Sequence, residues 1–211
     1  MAIAKVNDVP KLQELKELLR SIAMLDAVLA HDLGETVYSF NDKWSSKVSV
    51  GIVKNGQGDD LFVVFDSSGC FMKGLVHDIP LAGDSETLNR LRESIPETFK
   101  HHLAESAFTC NEGTFFAWCD SEESGWNSTT ELVVDSDDGS GYLLNFLKLT
   151  PASFQEWAEE NYETDIEIKA VASIYESVPL TNELVKNLNG NLSLGVIRQV
   201  AAKIGYPITA D

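Results

Sequence analysis

The sequence predicts an α+β protein in which an antiparallel sheet packs with an N-terminal helix and a helical C-terminal half. Three observations carry this reading. A helical period opens the chain, short β-branched and aromatic runs separated by turn residues follow it, and the helical period returns from Tyr142 onward. Strands grouped ahead of helices point to α+β rather than to alternating βαβ units.

The first helix is expected over residues 10–31. Asn7 or Asp8 can cap it and Pro10 suits its first turn. Leu12, Leu15, Leu19, Ile22 and Leu29 recur on one face, and Gly34 can end it. Residues 37–40, 48–52, 61–65 and 70–76 then read as a meander of three or four strands, with turns at Asn55-Gly56-Gln57-Gly58-Asp59 and Asp66-Ser67-Ser68-Gly69. Val48, Val50 and Ile52 alternate with Lys47, Ser49 and Gly51, which predicts a sheet with one wet face.

Helices are expected from Asp84 or Ser85 to Glu93, and again from Ser94, through Pro96, to about Ala104. Residues 114–119 read as a buried strand, with 128–134 as its hairpin partner. Helical segments follow at 143–147, after Thr150-Pro151, at 168–175, at 182–188, and at 194–204 with Gly205 and Pro207 behind it. At 211 residues the chain suits a single domain, with a possible division into helix plus sheet (1–134) and a helical region (135–211).

Charge bounds the function. Sixteen basic residues face thirty-three acidic ones, for a net charge of −17. Nucleic acid and anionic membranes are therefore poor partners, since both require clustered Lys and Arg. The three cysteines, Cys70, Cys110 and Cys119, follow no disulfide or zinc spacing and suggest a reducing compartment. Residues 1–8 lack an apolar stretch, so the cytoplasm is the expected location.

The acidity is concentrated. Residues 101–167 hold fifteen carboxylates and one lysine, Lys148, a balance of −14. Such a run can simply keep a surface solvated, or it can dock a basic protein and speed encounter. Under the docking reading the candidate partner-binding residues are Asp120, Glu122, Glu123, Trp126, Asp135, Asp137, Asp138, Glu159 and Glu163. Trp126, a tryptophan in a polar loop, is the expected anchor.

Other chemistries fit less well. His101 and His102 are adjacent on an expected helix, so their side chains should diverge by about 100° and not share an ion; no metal or cofactor is expected. Asp135-x-Asp137-Asp138-Gly139 begins like a calcium loop, but Phe146 stands where a bidentate Glu is needed. Cys70 with His77, or a carboxylate pair such as Asp59-Asp60 or Glu159-Glu160, would be the parts of a hydrolase. Phosphate-binding glycine loops are absent.

The stretch Ser94-Ile-Pro-Glu-Thr-Phe-Lys-His-His-Leu-Ala resembles the hydrophobic-Pro-x-x-aromatic-x-x-x-Leu helix start of SUKH-type bacterial immunity proteins. That resemblance implies a non-enzymatic protein that covers a toxin. The expected function, carried mainly by the concentrated acidity of residues 101–167, is an acidic protein-binding module of immunity or inhibitor type that covers a basic partner. An enzyme built on Cys70 and His77 is the alternative, and a structural or assembly subunit is a further one.

Overall fold

The computed structural model describes residues 5–133 and 136–209. The elements run α1 (Leu12–Leu29), β1 (Tyr38–Ser45), β2 (Val48–Lys54), β3 (Asp60–Asp66), β4 (Gly69–Leu75), α2 (Ser85–Ser94), β5 (Phe115–Cys119), β6 (Asn127–Ser128), α3 (Ser140–Leu143), α4 (Pro151–Tyr162), α5 (Ile168–Tyr175), α6 (Asn182–Leu188) and α7 (Leu194–Ile204). Short 3₁₀ turns at Val6–Asp8, Glu97–Ala104, Ser106–Phe108, Thr130–Leu132 and Leu144–Leu147 link them. This is the expected α+β architecture.

All six strands form one antiparallel sheet in the order β1-β2-β3-β4-β5-β6. The expected meander and the later hairpin are thus continuous: β5 pairs with β4, setting Cys70 opposite Cys119 and Gly74 opposite Phe115. The hairpin partner is shorter than expected. Pairing ends at Ser128, and Thr129 then turns the chain into a 3₁₀ segment, its hydroxyl accepting from Phe116 N at 2.9 Å.

Strand alternation divides the side chains between two cores. Leu61, Val63, Phe65, Cys70, Met72, Phe115 and Ala117 face α1 and the C-terminal helices. Phe62, Val64, Phe71 and Phe116 face the opposite way, onto Leu91, Ile95, Phe99 and Phe108. The expected wet face is therefore covered. That face, the side of Ser49 and Gly51, lies under α1, and the segment between β4 and β5, which carries α2 and two 3₁₀ turns, lies across the other. β3 and β4 are accordingly buried along their whole middles rather than alternately. The alternation read in β2 was misleading because Ser49 is itself buried, its hydroxyl donating to Asp42 O at 3.1 Å, and because Gly51 makes room for the helix. A Cβ on Gly51 would fall 2.8 Å from a Leu19 methyl, so its absence lets α1 lie close to the sheet.

α1 buries Leu15, Leu19, Ile22, Met24, Leu25 and Val28, each contributing on the order of 1.5–3 kcal/mol. It also buries Asp26, whose carboxylate accepts from Tyr38 N at 2.5 Å and from the Tyr162 hydroxyl. One acid thus ties α1 to the start of β1 and the end of α4. The C-terminal helices close over α1 through Ser21 Oγ to Ile174 O (3.1 Å) and Asn189 Nδ2 to Val28 O (3.0 Å). α4 begins as expected, with a reciprocal Thr150–Ser153 capping box, and Gly205 ends α7 at φ 74°.

Burial pushes the Asp26 carboxyl up to about 6, against the lowering effect of its hydrogen bonds from Tyr162 and Tyr38. A carboxyl raised in the fold favours folding below its unfolded pKa, and that contribution is lost as pH rises through the folded value. Shifting from 3.8 to about 6 corresponds to roughly 3 kcal/mol. Urea unfolding should therefore show stability from this group falling between pH 4 and pH 6.5. Asp26→Asn should flatten that decline; an unchanged pH profile in the variant would refute the assignment.

Candidate functional site

The acidic residues separate into groups at opposite ends of the sheet. Asp120, Glu122 and Glu123 follow β5 at the end formed by Phe65, Cys70 and Cys119. Asp137 and Asp138 lie at the other end, where Gly139 packs on Val76 just beyond β4. Glu163 joins this second end: the preceding Asn161 and Tyr162 line a groove with Glu35, Val37, Lys54 and Asn55. Asn55 Nδ2 also reaches the Tyr142 hydroxyl at 3.2 Å, which links the groove to the segment after Asp138. Asp135 lies outside the described residues.

Several of these residues have tasks within the fold. Glu122 accepts from Gln13 N at 2.5 Å, at the N-terminus of α1, where the capping position is Lys11 and supplies no side-chain bond. The carboxylate therefore caps the helix from about 110 residues away in sequence and meets the positive end of its dipole. Trp126 folds back over the sheet edge, donating its indole N–H to Pro10 O at 3.1 Å and packing on the main core, so it does not project as an anchor. Asp137 and Asp138 accept from Gly139 N and Ser140 N, both at 2.9 Å, and turn the chain into α3; Asp138 is buried. Glu159 accepts from Ile166 N at 2.9 Å and Gln155 Nε2 at 3.0 Å, bracing the α4–α5 turn. Asp120, Glu123, Asp137 and Glu163 remain exposed, and among the described residues none of them forms an ion pair.

The hydrolase parts do not assemble. Cys70 is fully buried, and burial pushes its thiol well above the ordinary range. His77 lies beyond the far end of β4, and that end, at Leu75, is itself about 16 Å from Cys70 along the extended strand. Its Nδ1 pairs instead with Asp59 Oδ1 at 2.8 Å. Asp60 points to the other side of β3 and holds the buried Lys73 ammonium at 2.7 Å, with Thr109 Oγ1 at 3.1 Å. Burial holds the Asp60 carboxyl above its usual range even beside that ammonium. The Asp59–Asp60 pair is thus two separate structural contacts. Exposed apolar side chains include Leu33, Tyr142 and Ile168 on separate segments, and Val196 and Val200 one turn apart on α7.

His101 and His102 correct the expectation drawn from their adjacency. They lie in the 3₁₀ turn Glu97–Ala104 over the second sheet face, and their rings are 3.9 Å apart, centroid to centroid. Both aim at Asp66, at the end of β3. His101 Nε2 lies 2.9 Å and His102 Nε2 3.4 Å from the same oxygen, Oδ2. Asp66 shares the parity of Phe62 and Val64, so alternation turns it toward this layer. Its Oδ1 is held by Ser68 N at 2.7 Å. The His102 ring stacks on Phe71 at 5.2 Å. Burial lowers its pKa to about 4, with His101 adding to the fall and Asp66 opposing it. Adjacent backbone positions diverge, but two-bond side chains on a tight turn can still bring their ring tips together.

Comparison with protein families, with curated proteins and with solved structures found no match. The resemblance of residues 94–104 to immunity proteins therefore rests on those residues alone, and from Glu97 onward they form a 3₁₀ turn rather than the expected α-helix.

Two outcomes follow. Glu122→Ala should lower unfolding free energy by about 1 kcal/mol through the lost cap, whereas Glu123→Ala should leave it unchanged within error; equal effects would remove Glu122 from that role. The thiols of Cys70, Cys110 and Cys119, all buried, should resist a thiol–disulfide exchange reagent until denaturant is added. Fast labelling of Cys70 in the native protein would contradict the packing described.

Proposed function

We propose that this chain is a non-enzymatic binding module that covers a basic protein partner, in the manner of an inhibitor or immunity protein. The observation that supports this reading is the set of exposed carboxylates, Asp120, Glu123, Asp137 and Glu163, that have no ion-pair partner among the described residues. A net charge of −17 adds a long-range field that would draw a cationic protein in before contact.

The reading is narrower than the sequence suggested. The acids occupy both ends of the sheet, and at the Cys119 end Glu122 is committed to α1. The favoured docking face is therefore the opposite end, where Glu35 lines the groove with Asn161 and Tyr162, Glu163 follows them in the chain, and Asp137 lines a separate hollow beside Ser128 and Ser140. Carboxylates there would pair with partner lysines and arginines, and the rim charges would act mainly on the association rate.

The test begins with affinity capture from source cells and elution by salt, followed by stopped-flow association with the captured protein. Association should slow steeply as salt rises. Asp137→Lys with Glu163→Lys should slow it by about tenfold or more at low salt, and Asp120→Lys with Glu123→Lys by much less. Kinetics insensitive to salt and to both pairs would end the proposal.

A further inference from the structure

Among the described residues, Asp66, His101 and His102 are the one group of three potential metal ligands whose donor atoms lie within 4.8 Å of one another. The separations suit an ion. Ligands bonded at about 2.0–2.1 Å in tetrahedral geometry sit about 3.3 Å apart, and in octahedral geometry about 3.0 Å. The two nitrogen–oxygen distances, 2.9 and 3.4 Å, bracket those values.

A second observation points the same way. The His102 side chain is only 5% exposed, and its Nε2 is buried without a hydrogen-bond partner, although it points at Asp66. A buried ring nitrogen left without a hydrogen bond among the described residues carries a desolvation penalty that the carboxylate 3.4 Å away offsets only in part. A cation seated between the three groups would satisfy that nitrogen and neutralise the carboxylate together.

The surroundings are those of a built site. Ser68 N fixes the far oxygen of Asp66, and Phe71, Phe99 and Phe108 hold the His102 ring from behind. Both ligand orientations are thus set before any ion arrives, which is how outer contacts support metal affinity. His101 is half exposed at 54%, so the site is open to solvent on its side and leaves coordination positions for water. We propose that Asp66, His101 and His102 bind a divalent transition-metal ion of the zinc class, pinning the 3₁₀ turn Glu97–Ala104 to the end of β3 with an open, water-accessible position.

The test uses the full chain, stripped of metal by chelator and titrated with Zn²⁺ against a chromophoric indicator, with Mg²⁺ as the comparison ion. One equivalent of Zn²⁺ should bind, and Zn²⁺ but not Mg²⁺ should raise the thermal midpoint. His101→Ala and Asp66→Asn should each weaken binding by at least about tenfold and abolish the Zn²⁺-dependent shift. Asp66→Asn keeps an acceptor for Ser68 N, and circular dichroism of both metal-free variants will establish that they fold. His31→Ala and His77→Ala should bind as the parent does. The proposal is overturned if the parent shows no stoichiometric Zn²⁺ binding, if the ligand variants bind as tightly as the parent, or if the His31 or His77 variants lose binding to the same degree.

Discussion

β3 and β4 bury side chains on both faces, so the sheet cannot be stable with cover on one side only. The helices at the two ends of the chain supply one layer; α1 lies against the sheet and α5, α6 and α7 pack onto it. The other layer has to come from within the sheet sequence, and it does: the chain leaves β4, crosses the second face as α2 and two 3₁₀ turns, and returns as β5. Most of the chemistry in this molecule follows from that detour. It buries Lys73 and so requires Asp60 and Thr109 as its partners, and it carries His101 and His102 to the end of β3, over Asp66.

The helical half was legible because each helix carries its own local signals. Thr150-Pro151 capped and opened α4, and Gly205 stopped α7 in the left-handed conformation that glycine adopts without strain. The sheet was legible as strands but not as a layer. Ser49 and Gly51 look solvent-facing in sequence, yet one donates a buried hydrogen bond and the other admits Leu19. A glycine at a close approach and a polar residue on the wet face leave the same trace in a hydropathy pattern.

The candidate sites show the same asymmetry. Sequence distance concealed that Glu122 belongs to the first turn of α1, because capping by a residue so remote leaves no spacing to read. Adjacency misled in the opposite sense at His101 and His102, because diverging Cα–Cβ vectors do not fix where the ring tips lie. One signal was available: Asp66 continues the parity of Phe62 and Val64, so an acid at that register had to face an enclosed layer and needed partners there. The surface acids remain the least determined by sequence, since charge along a chain does not specify which end of a sheet it will occupy.

The detour between β4 and β5 also has a consequence for how the sheet is completed. Neighbouring strands elsewhere are joined by short turns, whereas Leu75 and Phe115 meet only after about 40 residues have been looped out. By the (3/2)RT ln n scaling, closing that loop carries about 3 kcal/mol of chain entropy, the largest such term between adjacent strands in the sheet. The β4–β5 seam is therefore the joint whose opening releases the most chain freedom, and whatever fastens the looped-out segment to β3 also lowers the freedom released when that seam opens.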